Sequence, residues 1–166
     1  MLIKNFVYYR LTEEQKWLID KLILNEELKD RYKKYGLCKE CKQPNTSYYW
    51  YQSCNAKRFQ QNFKNWTSGN HDIDKLIQKT QLKAGNCNEV IEWVEYDRFE
   101  NVEYLAKGGF GTTYKAIWKD GPIYYWDYKN NQWKRYRSGE TVALKCLHNS
   151  QDITAEFLRE VRSFFL

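Results

Sequence analysis

The chain has 166 residues, room for one domain or two small ones, with 42% apolar residues and a net charge of +6. Its apolar fraction leans on aromatics (14 Tyr, 8 Phe, 7 Trp), with only two prolines and eight glycines, which excludes a disordered or fibrous composition. No apolar run nears the ~18 residues of a membrane span, and residues 1–10 are too short and tyrosine-rich for a secretory signal, so an intracellular, cytoplasmic protein without a membrane partner is expected.

The charge is uneven. Residues 1–85 carry 16 basic and 9 acidic groups, and residues 86–166 carry 11 and 12. A basic first half suits a polyanion such as nucleic acid. The competing reading is a solvated surface, because the Lys and Arg residues form no dense run.

In chain order, Thr12-Glu13-Glu14-Gln15 is a capping box. It predicts one helix over 13–34, with Trp17, Leu18, Leu22, Leu28 and Tyr32 on the inner face and Gly36 as its stop. The cysteine segment follows. Five cysteines, an odd number with Cys38 and Cys41 in a C-x-x-C, point to metal or free thiols rather than a disulfide framework. Cys38, Cys41 and Cys54 lie within 17 residues. A closed zinc site needs four ligands, usually two C-x-x-C pairs, and the fourth position holds Tyr51. His71 and Cys87 are possible substitutes that no short spacing supports. Weak zinc binding at an incomplete site therefore stands beside a plain reading of three reduced thiols.

A helix over 56–66, a break at Thr67-Ser68-Gly69-Asn70 and a helix over 72–83 with Ile73, Leu76 and Ile77 inside come next. Past Ala84-Gly85-Asn86 the pattern is of strands, at 102–105, 112–118 and 141–147. Residues 118–139 hold Tyr124, Tyr125, Trp126, Tyr128, Trp133 and Tyr136 around a turn at Lys129-Asn130-Asn131-Gln132. This reads as an extended hairpin. Its aromatics serve either as a stacking platform for bases or as cross-strand pairs holding the ribbon together.

Leu105-Ala106-Lys107-Gly108-Gly109-Phe110-Gly111-Thr112-Thr113-Tyr114 bears most on function. A dinucleotide fold or a P-loop would run from such a loop into a helix, whereas this one runs into strand residues. A hairpin tip without side chains can lay its N–H groups over phosphates. On the third strand, Val142-Ala143-Leu144-Lys145 places Ala143 and Lys145 on one face by alternation. Further on, Glu160 stands in a helical stretch where it can pair with Lys145, with Glu156 as a rival.

These three motifs in order resemble the opening of the eukaryotic protein kinase domain over residues 102–162. From Cys38 onward the chain resembles fungal kinases of the tyrosine-kinase-like group with a short cysteine-rich leader. The resemblance implies an α+β fold: a helical cysteine-bearing leader, then an incomplete antiparallel β-sheet kinase small lobe with helix C. The parts would be 1–37, 38–85 and 86–166. It implies ATP as ligand, with Mg in the complete family member, and a protein as phosphoryl acceptor. Leu105, Ala106, Lys107, Gly108, Gly109, Phe110, Gly111, Thr113, Ala143 and Lys145 would bind the nucleotide, and Glu160 would orient Lys145. Related leaders carry Cys where Tyr51 stands, giving C-x-x-C-x9-C-x-x-C.

The chain departs from the family at Ala106, where the first loop glycine belongs, and at Thr113, where a valine roofs the adenine. It contains neither H-R-D-x-x-x-x-N nor D-F-G, so it is expected to stop short of catalysis, with no catalytic residue of its own. Alternative functions are a non-catalytic interaction module, or polyanion or nucleic-acid binding through the basic leader.

Overall fold

The computed structural model describes residues 6–109 and 111–147. They form an α+β protein with four helices, a three-stranded antiparallel sheet and a separate two-stranded ribbon. Two compact units are present, one of Met1–Asn65 with Gln78–Val90, the other of Trp66–Ile77 with Ile91–Leu166. No helix among the described residues is long and apolar enough to cross a membrane.

The capping box forms as its residues dictate: Gln15 N–H donates to Thr12 Oγ1 at 3.2 Å, and Thr12 N–H to Gln15 Oε1 at 3.0 Å. The single helix expected over 13–34, however, is two, α1 (Glu13–Leu22) and α2 (Glu26–Tyr35). Asn25 is responsible. Its side chain accepts from Leu28 N–H at 3.0 Å and caps a new helix, an option open to short polar side chains that compete with the helical backbone. The break also changes the inner face: Ile19 is fully buried, whereas Trp17, Leu22 and Leu28 are exposed.

Helices α3 (Gln52–Asn62) and α4 (His71–Lys83) follow. The first unit packs around Trp50, which is 0% exposed and tilts against Phe59 of α3. Trp50 Nε1–H donates to Ala84 O at 2.8 Å, Thr46 Oγ1–H to Gly85 O at 2.7 Å, and Gln52 Nε2–H to Lys83 O at 3.2 Å. These donors satisfy carbonyls at and just past the end of α4, which an α-helix leaves without partners.

In the second unit, β1 (Phe99–Lys107), β2 (Gly111–Trp118) and β5 (Glu140–Leu147) lie in the order β1-β2-β5. β1 and β5 are the edge strands among the described residues. The insertion forms the expected hairpin of β3 (Ile123–Asp127) and β4 (Gln132–Arg135). Trp126 faces Trp133 edge-on, with ring centroids 5.1 Å apart. Glu92 clamps the hairpin's base: it accepts from Ile123 N–H at 3.0 Å and pairs with Arg135 at 2.6 Å. Gly121, at φ 68°, lies so close to Tyr136 O that no side chain fits.

Candidate functional site

The glycine hairpin closes where Gly108 N–H donates to Gly111 O at 2.9 Å. Its glycines are there for different reasons. A Cβ on Gly111 would stand 2.5 Å from Cys146 O of β5, so the neighbouring strand itself requires glycine. Gly109 would meet nothing within 4 Å, and Gly108 only Gly111 O at 3.8 Å. Packing among the described residues therefore demands no glycine at Gly109, and the space beside it is open.

The strand register gathers the expected face. Ala106 and Lys145 both lie opposite Thr113, and Ala143 lies opposite Lys115. Because successive strand residues alternate, Ala106, Thr113, Ala143 and Lys145 share one side of the sheet. Ala106, Ala143 and Lys145 are exposed there and Thr113 is half-buried. Lys107 lies opposite Thr112 and so belongs to the other side, while Leu105 falls at a register irregularity and is 55% exposed. Lys145 has no ion-pair partner among the described residues. Phe110, Glu160 and its rival Glu156 lie outside those residues, as does the helix expected to carry the two glutamates.

A groove of about 700 Å³ that the sequence reading did not anticipate runs along the other side of the sheet to the β5 edge, where Ala143 and Lys145 also line it. Phe99, Val102, Tyr114 and Leu144 line it together with Trp93 and Tyr96 of the preceding segment. Its signal was available in the alternation of Tyr114, Ala116 and Trp118 on β2 with Val142 and Leu144 on β5.

The cysteine cluster lies in the first unit. Cys38 N–H donates to Gln43 O at 2.8 Å and Lys42 N–H to Cys38 O at 3.0 Å, with Lys42 at φ 60°. This tight turn brings Cys38 and Cys41 together, while Cys54 enters from the first turn of α3. The three Sγ atoms lie within 4.8 Å of one another, with Cys38 and Cys54 at 3.8 Å, and could hold a metal ion. For metal–sulfur bonds of about 2.3 Å, the edge of a tetrahedron is about 3.8 Å. Cys38 and Cys54 are buried and Cys41 is exposed. Burial, followed by the neighbouring Cys41 and Cys38, pushes the Cys54 thiol up to about 12, since a second negative sulfur is costly there without a cation.

Among the described residues the cluster contains only these three candidate ligands. Tyr51 is the N-cap of α3, and its side chain makes no capping hydrogen bond. Glu40, the carboxylate inside the C-x-x-C, is held by Arg58 of α3, which also donates to Asn55 Oδ1 at 3.1 Å. Elsewhere in the leader, basic groups alternate with acids, as in Lys29–Glu26 and Lys33–Asp20 at 2.6 Å each.

Comparison with protein-family models, with curated proteins and with solved structures gives no match.

Proposed function

We propose that the second unit is the ATP-binding part of a protein-kinase small lobe. The observation that carries the reading is the register, which sets Lys145 and Ala143 on one open face with Thr113, beside a hairpin tip whose Gly109 has no packing constraint. Lys145 would meet the phosphates, Ala143 and Thr113 the adenine, and the N–H groups of the tip the triphosphate. Phosphoryl transfer to a protein hydroxyl would be the activity of a complete family member, with Mg bridging the phosphates. These 166 residues hold neither the base nor the metal-binding aspartate of that reaction, so binding is the property to assay. Calorimetry with Mg-ATP is expected to give a Kd near or above millimolar, about −4 kcal/mol, because half a cleft leaves the adenine open to water. Lys145→Met should abolish the heat. Identical titrations of the two proteins would sink the reading.

A second reading concerns the leader, where the three clustered thiols favour a zinc ion. Three thiolates would hold the ion, with the Cys54 thiolate favoured by the positive N-terminal end of α3. Binding should be weaker than at a four-thiolate site, because the resemblance places the missing thiol at Tyr51. Metal analysis after dialysis, with Cys54→Ser as control, tests it. Equal zinc in both proteins would refute it.

A further inference from the structure

Resting on that metal reading, we propose that the ion at Cys38, Cys41 and Cys54 keeps an exchangeable fourth position, open beside Cys41, that accepts a thiolate from outside the chain. The three sulfurs differ in their exposure to solvent. Cys38 and Cys54 are 2% and 6% exposed and form a buried pair, whereas Cys41 stands at the solvent edge. Protein-bound zinc is almost always tetrahedral. A tetrahedral ion with three protein ligands has one vertex left.

Nothing in the immediate turn is placed to fill that vertex. The group of candidate ligands stops at three among the described residues, and the Glu40 carboxylate is engaged by Arg58. The charge of the surroundings favours an anionic fourth donor. Lys39 and Lys42 flank the C-x-x-C, and Arg58 lies one turn beyond Cys54 on α3, so cations outnumber the lone Glu40 around the site. Zinc with three thiolates carries one net negative charge, and a fourth thiolate makes two, which the flanking cations partly offset. Cys38, Cys41 and Cys54 would hold the ion, and an incoming thiol would take the remaining position as thiolate in place of water, its proton passing to solvent. No electron is transferred.

Cobalt(II) in place of zinc reports the vertex directly, because its visible bands follow the donor set and geometry. The full chain, reduced with a phosphine, should bind one Co²⁺ with the absorption of a tetrahedral three-thiolate site. Adding 2-mercaptoethanol should shift the bands in a saturable way while the metal stays with the protein on ultrafiltration. Tyr51→Cys should show the four-thiolate spectrum before any thiol is added and should not respond to it. Tyr51→Phe should behave as the unaltered chain. If cobalt binds tetrahedrally but the spectrum ignores the added thiol, or if the thiol strips the metal, the open position is overturned. A changed spectrum in Tyr51→Phe overturns it too, by assigning the vertex to the phenol. If no cobalt binds at all, the metal reading itself fails and the proposal falls with it.

Discussion

Gly111 and Gly109 sit two positions apart in one loop yet answer to different neighbours. Gly111→Ala pushes a Cβ against the β5 backbone at Cys146. Backbone cannot swing aside as a side chain can, so a loss of about 1–3 kcal/mol is expected, read from urea unfolding. Gly109→Ala should leave the urea midpoint unchanged, because its Cβ meets nothing. If the nucleotide reading is right, the same substitution weakens Mg-ATP binding. A stability loss at Gly109 as large as at Gly111 would contradict the geometry. Asp74 gives a residue-scale prediction in pH. Ser68 Oγ–H and Thr67 Oγ1–H donate to its carboxylate at 2.5 and 2.6 Å, and Ser68 N–H at 2.7 Å. These bonds, with Ser68 first, hold its carboxyl below the usual range. A depressed folded value means that the stabilisation is present above the unfolded value of about 3.9 and is lost as pH falls through the folded one. Asp74→Asn should therefore lower Tm at neutral pH, and the gap should close as the solution is acidified below about pH 4. A gap constant down to pH 2 would exclude this role.

Among the elements, the β3–β4 ribbon is the one most dependent on its own side chains. Two-stranded ribbons are marginal in water, and the Trp126–Trp133 pair provides the cross-strand contact that such a ribbon needs. A double-mutant cycle with Trp126→Ala and Trp133→Ala should return a coupling of about 0.5–1.5 kcal/mol. Additive losses would mean that Glu92 and Arg135 hold the ribbon alone. The stretch from α1 to α2 shows what local pattern leaves out. Apolar residues at helical spacing ran continuously through 17–32, but Asn25 offers the Leu28 N–H a better partner than an uninterrupted helix does. Leu24, 91% exposed, lies in that break.

For the molecule as a whole, the two units should respond separately to metal. If zinc binds the folded cluster, it should stabilise the first unit by mass action. Hydrogen exchange should slow at Trp50 and Cys54 and remain unchanged at Ala116 of β2, and a chelator should reverse the effect. Slowing at both places would show that the metal acts elsewhere. Trp50→Phe should weaken the first unit by about 1–3 kcal/mol, because it strips Ala84 O of a buried donor. Fluorescence-monitored unfolding measures this, and a neutral result would mean that water replaces the indole.

The sequence by itself determined whatever is settled within a few residues or by strict alternation. The Thr12 capping box, the strands at 112–118 and 141–147, the hairpin within 118–139 and the common face of Ala143 and Lys145 were legible, because each depends on neighbours in the chain or on a period of two, whereas the first strand runs over Phe99–Lys107 and not only the expected 102–105. Tertiary structure alone decided the rest. That Gly111 is required by β5, that Ile19 rather than Trp17 is buried, and that Trp50 closes the end of α4 depend on partners 34 or 35 residues away or on neighbouring elements. The cysteines show both. Their spacing identified Cys38, Cys41 and Cys54 as a group, but only the fold set the 3.8 Å separation of Cys38 and Cys54 and left Cys41 at the surface, since a distance across 16 residues is fixed by packing and not by order in the chain.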